Sequence, residues 1–349
     1  MKKVSARINI YMALLLLLVA VTGCHHQRQE AIHHYHNLVN KAELAICEED
    51  FRAALDNYGL AFRKIDRPFA SDLYNASLAA QASAYWAERD QYLQQLIDGS
   101  KDIALIKATF LASFMTAQEW EILESHRVLH FDEELRTEME EIANRDRLFR
   151  ADYDNHDDTI NTIRIKNLER LLELESQMGF PSHKEIGFSE NQRRQPHHIV
   201  LHHTAQRRSY DKGVMDLEPM LRKAVSEGRL DPELAILYMK LQDDQDKGRY
   251  ENYSTWQYRH PLLPDSMSST IWAPNLESTE RDEINSIRRE WYADSIEDIE
   301  TKVNYKENSS WPFLFTSISK SKANLLQDLT AEEAVEQYLL STAEMKMLN

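Results

Sequence analysis

The chain has 349 residues, of which 42% are hydrophobic, and its formal net charge is −16 at pH 7. A chain this acidic repels nucleic acid and anionic lipid headgroups, so no nucleic acid is expected among its partners. Only eight glycines occur, and none of them is grouped as a phosphate-binding loop or a dinucleotide fingerprint, so no cofactor is predicted. The length is typical of two domains.

Residues 1–23 have the layout of a secretory signal. A nearly continuous apolar stretch covers residues 8–21, and it is preceded by the positive charges of Lys2, Lys3 and Arg7. The stretch ends in Val21-Thr22-Gly23-Cys24, with a branched apolar residue third before the cysteine and small residues beside it. This is the lipobox pattern, and on these residues the chain resembles bacterial lipoprotein precursors.

The resemblance implies that the signal peptide is removed before Cys24 and that the Cys24 thiol carries lipid. Two or more acyl chains would anchor the protein firmly to a membrane, on the periplasmic side or at the cell surface. The alternative is an uncleaved transmembrane helix, but the apolar span is shorter than the roughly 20 residues that a bilayer requires. Cys47 is the only other cysteine, so no intramolecular disulfide is predicted.

A lipidated tether over residues 24–29 leads into a helical domain predicted over residues 30–143. Its apolar residues recur at helical spacing, and one helix is expected from Ile103 to about Leu123. Part of the domain resembles the second half of a tetratricopeptide repeat, on Asp50, Phe51, Ala54, Tyr58, Ala61, Asp66 and Pro68. A repeat of this kind implies a concave surface for a peptide or partner helix, and the alternative is an irregular bundle without a groove.

A second, largely helical domain is predicted over residues 144–300, so the expected fold class is mostly α. Gly179 and Gly228 are expected to end two of its helices, and Asp231 is expected to cap a third. The domain resembles a degenerate copy of an uncharacterised bacterial domain-of-unknown-function family. The residues that carry the resemblance are Asn144-Arg145-Asp146, Asn167, Gly179-Phe180-Pro181, Ile186-Gly187, His202-His203, Glu227-Gly228, Tyr253-Ser254-Thr255, Gln257 and Ile287-Arg288-Arg289. The resemblance implies a candidate surface but no reaction.

His198 and His202 are the candidate metal ligands of this domain. They lie four residues apart, which on a helix places two imidazoles on one face at the spacing of zinc ligands. A third ligand is not evident, and Ile199 occupies the position at which a zincin helix has its glutamate. The alternative is that both histidines have no metal.

His203 is the candidate general base, with Tyr253 or Thr255 as hydroxyl partner in a cleft, because an imidazole titrates near neutral pH. No nucleophile motif accompanies these residues. A histidine on an apolar stretch is more often a hydrogen-bonded core residue, which is the alternative here.

Residues 301–349 are predicted to form a C-terminal helical extension. It contains the apolar residues 311–315 and a capping box, Thr330 to Glu333, that opens a last amphipathic helix running to Met345. We expect the extension to dock on the second domain, and the alternative is that its aromatic residues form a partner site. Together these features favour a membrane-anchored protein or peptide interaction module, or a structural module, of the cell envelope. The alternative function is an enzyme of unknown class around His203 and Tyr253.

Overall fold

The computed structural model describes residues 27–108, 110–148, 153–188, 195–211, 213–243, 255–259, 263–264, 266–267, 270–316, 320–324, 330–343 and 345–348. This part of the chain is mostly helical, which confirms the predicted fold class. Cys24 and Tyr253 lie outside the described residues. The predicted signal peptide and the first residues of the tether also lie outside them.

The first domain begins with two helical hairpins, formed by α1 (residues 27–47) with α2 (Phe51–Phe62) and by α3 (Ala70–Ala82) with α4 (Trp86–Gly99). Asp50 starts α2, because its carboxylate accepts a hydrogen bond from the Ala53 amide at 3.0 Å. Helix α3 lies at the centre and packs against both α2 and α4, and residues 71–80 are all buried. Its alanines have small side chains that allow these neighbours to approach closely.

The rest of this domain differs from the prediction of one helix between Ile103 and Leu123. The segment folds as α5 (Ile103–Lys107), a 3-10 helix (Phe110–Phe114) and α6 (Ala117–Ser125). The break has a local cause, because Thr116 and Glu119 form a capping box that starts a new helix.

The second domain is built from α7 (Glu133–Arg147), α8 (Tyr153–Met178), α9 (His183–Ile186), α10 (Pro196–Tyr210), α11 (Glu218–Ser226) and α12 (Pro232–Gln242). Gly179 and Gly228 adopt positive φ angles of 85° and 66°, and Asp231 caps α12. Helix α7 runs across residue 143, where the sequence analysis places the change of domain. The buried side chains of α7, including Leu135 and Met139, belong to the second hydrophobic core.

A four-stranded sheet follows the second domain, in the order β3-β1-β2-β4. Its strands are β1 (Thr255–Arg259), β2 (Trp272–Pro274), β3 (Lys320–Asn324) and β4 (Met345–Met347). Between them lie α13 (Ser278–Glu290), α14 (Ile296–Asn308) and α15 (Ala331–Thr342). The predicted capping box of Thr330 and Glu333 is present, but its helix ends at Thr342 because the chain continues into β4.

The C-terminal extension packs partly in the first hydrophobic core and partly in a small separate cluster, whereas we expected it to dock on the second domain. Helix α15 packs through Ala334 and Tyr338 against Leu263. Phe313 and Phe315, in contrast, are buried in the first hydrophobic core. They reach the first domain because α14, which precedes them, lies against α1 through a buried charged side chain, Lys302.

Candidate functional site

The face that α1 and α3 turn toward the C-terminal part of the chain is polar, and we call it the inner face (Asn40 and Glu43 of α1, Asn75 of α3). The Asn40 amide donates to the Asp298 carboxylate at 2.9 Å. The Lys302 ammonium donates to the Glu43 carboxylate at 2.5 Å. Both partners belong to α14, so one helix of the same chain lies on the α1 part of this face.

Asn75 binds the extended residues that follow α14. Its side-chain nitrogen donates to the carbonyl oxygen of Leu314 at 2.8 Å, and its side-chain oxygen accepts from the amide of Leu314 at 2.7 Å. One amide side chain therefore satisfies both polar groups of one backbone residue, as a neighbouring strand would do. Asn75 therefore contacts only the backbone of residue 314 in these two hydrogen bonds, and the contact does not depend on the side chain of Leu314.

Aromatic rings on both sides of the Asn75 contact fix the register of the segment. The ring of Phe313 lies 6.0 Å from that of Phe51 on α2 and 6.3 Å from that of Phe315. Phe313 is 1% exposed and Phe315 is 4% exposed, whereas Leu314 between them is 40% exposed. The first domain thus holds an extended segment through alternate aromatic side chains and one backbone contact.

Lys302 is the central charge of the interface between α14 and the inner face. Its side chain is fully buried, and its ammonium donates to Glu43 and to Asp294, each at 2.5 Å. Burial lowers the pKa of Lys302, but the two carboxylates outweigh burial and hold the pKa above its usual range. Burial raises the pKa of Glu43 to about 8, although Lys302 opposes the shift.

Further buried carboxyl groups connect this interface to the second domain. Glu233, near the start of α12, pairs with Arg288, and Arg288 also donates to the carbonyl oxygen of Asp294. Burial raises the pKa of Glu233 to about 7. On α3, burial likewise raises the pKa of Asp72 to about 7, although the Tyr35 hydroxyl donates to this carboxylate. Glu233 and Asp72 are thus both largely buried and both hydrogen-bonded within the protein.

His203 lies on α10, with Nδ1 hydrogen-bonded to the carboxylate of Asp146 on α7. The Asp146 side chain is fully buried, and the His203 side chain is 14% exposed. Tyr253 lies outside the described residues, and Thr255 is described only as the first residue of β1. The His203–Asp146 pair is therefore the part of the predicted catalytic site that can be described, and no sequence motif indicated Asp146 as the partner.

His198 and His202 share one face of α10, with ring centroids 5.5 Å apart. Nδ1 of His198 is hydrogen-bonded to the Tyr238 hydroxyl at 2.7 Å. Within the described ranges, no three His, Cys, Asp or Glu side chains are placed to hold a metal ion. The pair thus has the predicted spacing without a third ligand among the described residues.

A small, partly open pocket of about 20 Å³ lies where the two domains meet. Its lining includes Phe69, His183, Gln195, His197, Arg229 and Asp231. Burial lowers the pKa of both His183 and His197 to about 3, so both rings are neutral. A cavity of this size has room for one water molecule and not for a substrate.

Sequence reasoning missed the residues that form the interface of the inner face. Lys302 lies among Ile296, Ile299 and Val303, which form the buried side of α14. Asn75 lies in the apolar run of α3. A lone charged or amide residue on an apolar helix face was the signal that could have revealed both, because such groups are buried only with a partner.

No family model matches the chain, and neither curated proteins nor solved structures give a significant match. In the part of the chain that the structure describes, no helix combines the length and the apolar character needed to span a bilayer.

Proposed function

We propose that this chain is a lipid-anchored binding protein of the cell envelope, and that its first domain recognises an extended aromatic segment of a partner protein. The observation that carries the proposal is the pair of hydrogen bonds between the Asn75 side chain and the backbone of Leu314. A receptor would bind the backbone of a separate peptide in the same way, with residues 309–316 in the place of the peptide. The segment of this chain would then be the resident occupant, and a partner segment of similar chemistry would exchange with it. The tetratricopeptide-like character of this domain remains a prediction.

The rings of the resident segment define the chemistry of the partner. Because Phe313 and Phe315 are buried and Leu314 is not, the partner should carry large apolar side chains at alternate positions. Recognition through a backbone amide and carbonyl requires an extended conformation at the central position. The module would therefore select a pattern of side chains and a backbone shape, as other receptors for extended peptides do.

A labelled peptide with the sequence of residues 309–316 tests this recognition by fluorescence anisotropy. In the wild-type protein the resident segment competes at a high local concentration, so we expect weak binding. Exchange of Phe313 for alanine should weaken the resident segment by about 3 kcal/mol, or about a hundredfold, and allow the peptide to bind. Adding Asn75→Ala should reduce that binding again by at least about tenfold.

Leu314→Ala is the matched control, because it also truncates a large side chain of the segment but an exposed one. The peptide should remain excluded from this variant. Phe313→Leu serves as a milder variant if Phe313→Ala does not unfold cooperatively. A folded Phe313→Ala or Phe313→Leu protein that fails to bind the peptide would refute the proposed recognition.

The anchor is a separate part of the proposal and has its own test. The lipobox at Cys24 supports it, and the expected result is incorporation of labelled fatty acid into the wild-type chain but not into Cys24→Ser. A Cys24→Ser protein that is still cleaved and membrane-bound without incorporating fatty acid would contradict the anchor.

The second candidate function is an enzyme with His203 as general base, and the Asp146 contact favours it. A carboxylate on Nδ1 fixes the imidazole tautomer and leaves Nε2 to accept a proton. If this is the function, His203→Gln should abolish turnover of a substrate found by screening hydrolase probes, with unfolding nearly unchanged. Equal turnover by His203→Gln would remove this candidate.

A further inference from the structure

Residues 183–188 cross from the second domain to the first, and we call them the α9 strap. Ile186 of the strap is buried in the second hydrophobic core, whereas Phe188 is buried in the first. The Phe188 amide donates to the carbonyl oxygen of Gly99, on α4, at 2.6 Å. A Cβ atom at Gly99 would collide with the Phe188 ring, so the strap lies directly on the backbone of the first domain.

His183, the first residue of the strap, lies between two aromatic rings of the first core. Its ring centroid is 4.7 Å from that of Phe69 and 5.6 Å from that of Phe188. Its Nε2 donates to the carbonyl oxygen of Arg67, before α3, at 3.2 Å. The residue is 7% exposed, and its contacts with Phe69 and Arg67 bury it against the first domain.

The surroundings of His183 oppose its protonation. Burial has the largest effect on the imidazole, and it lowers the pKa of His183 to about 3, although the hydrogen bond to the Arg67 carbonyl opposes the shift. The charges of Lys184 on α9, of Arg67 and of Arg229 between α11 and α12 lower the pKa further. His197, on α10, is a second buried imidazole beside the strap and is neutral for the same reason. A proton on His183 would therefore add a positive charge beside three cations.

The carboxyl groups near the strap are engaged with other groups. Glu185, on α9, accepts from the Arg229 guanidinium at 2.8 Å. Asp231 lines the pocket between the domains together with His183, and its carboxylate accepts from two backbone amides at the start of α12. Asp66 is exposed and raises the pKa of Lys184. The closed strap is therefore matched to a neutral imidazole.

We propose that protonation of His183 releases the α9 strap from the first domain, while the remainder of the two hydrophobic cores stays folded. Because each domain has its own core, the strap can open locally. Release exposes the His183 ring to water, where an imidazole titrates at about pH 6.5, so the open strap takes up one proton. The closed strap is fully stabilised above about pH 6.5 and is destabilised progressively as the pH falls from there toward about 3.

Hydrogen exchange of the full chain at pH 7 and pH 5 tests the release, with each rate corrected for the intrinsic exchange rate at that pH. The protection factor of the Phe188 amide should fall by about twentyfold at pH 5, because one proton binds to the open strap and not to the closed one. At pH 5, Phe188 should also be at least about tenfold less protected than the buried Leu78 and Leu201 of the two cores. Equal protection of all three amides would mean that the strap opens only when the whole protein unfolds, which would overturn the proposal.

His183→Phe keeps an aromatic ring in the strap but removes the titrating group, so the Phe188 protection factor should change by less than about twofold between the two pH values. His183→Gln also cannot titrate and can still donate to the Arg67 carbonyl, so it serves if His183→Phe does not fold. His34→Phe replaces an exposed histidine of α1 and should keep the twentyfold fall of the wild type. A fall in the His183 variant as large as that in the wild type, or a wild-type Phe188 amide equally protected at both pH values, would contradict release by His183.

Discussion

The Lys302 cluster and the His203–Asp146 pair both join distant parts of the chain through buried carboxylates, but they differ in how far the partner of the carboxylate is exposed to solvent. Lys302 is fully buried and donates to Glu43 and Asp294. The His203 side chain is 14% exposed, although Asp146 is fully buried. The first contact joins the first domain to the C-terminal part, and the second lies within the second domain.

This difference separates a charge that is enclosed by its partners from a histidine whose ring has one edge in solvent. A buried charge that is surrounded by its partners is not accessible to a ligand. Removing it leaves the partner charges buried without compensation, which lowers the free energy of unfolding. The partly exposed edge of the His203 ring, in contrast, is accessible to a ligand. Burial and a carboxylate partner are therefore insufficient evidence for an active site.

The largest effect is expected for Lys302→Met. The variant removes the cation from Glu43 and Asp294, whose side chains are 5% and 15% exposed, so unfolding by denaturant should show a loss of about 3 kcal/mol. Lys306→Met, one turn later at an exposed position of α14, should lose less than about 0.5 kcal/mol. A loss from Lys302→Met as small as that from Lys306→Met would remove the distinction between the two contacts.

The second effect concerns the backbone contact of the inner face. Asn75→Ala removes two hydrogen bonds to Leu314 and should lower the unfolding free energy by about 2 kcal/mol. Asn57→Ala is the control, because the Asn57 amide donates to the carbonyl oxygen of Ala53 in its own helix. Equal losses in both variants would mean that Asn75 contributes no more than a local helix contact.

The chain sequence predicted the helix ends better than the interfaces. Asp231, Gly179 and Gly228 act locally, so their residue types were sufficient. The strands were missed because each is short and pairs with distant residues, as Thr255 does with Lys320. The burial of Phe313 in the first core was not predicted, because the contact of its segment with Asn75 joins residues that are 239 positions apart.

The candidate sites were predicted only where the residues concerned lie close together in the sequence. The helical face shared by His198 and His202 follows from spacing alone, and it is observed. The Asp146 partner of His203 lies 57 residues earlier in the chain, and spacing carries no information over such a separation. Thr330 and Glu333 form the predicted capping box because both residues lie within one turn.

The third effect is a dependence of stability on pH. Burial raises the pKa of Glu43 from 4.5 to about 8, so the folded state keeps a proton that the unfolded state loses. This contribution is fully present below about pH 4.5 and is lost as pH rises through about pH 8. Between pH 7 and pH 8, wild type should lose about 1 kcal/mol relative to Glu43→Gln, measured by denaturant unfolding.

Glu48→Gln provides the control for this titration, because Glu48 is exposed on the turn that follows α1. It should follow the pH dependence of the wild type. Parallel pH profiles for wild type and Glu43→Gln would contradict the raised pKa of Glu43 in the folded protein.

The smallest effect is expected for His203→Gln. A glutamine amide can still donate to Asp146, and the side chain it replaces is partly exposed, so the loss should be under about 1 kcal/mol. Asp146→Ala removes the buried partner and should cost more. A loss from His203→Gln equal to that from Lys302→Met would place both contacts in the same structural class.

Hydrogen exchange of residues 311–316 tests most directly whether the first domain is a receptor or only a core. In the wild-type protein, the Leu314 amide is bound to Asn75 and should exchange slowly. With a large excess of the peptide of residues 309–316, the resident amides should exchange faster while those of α7 and α10 remain unchanged. Resident amides that stay equally protected at peptide concentrations that saturate Phe313→Ala would contradict exchange of the segment, and with it the proposed recognition of a partner.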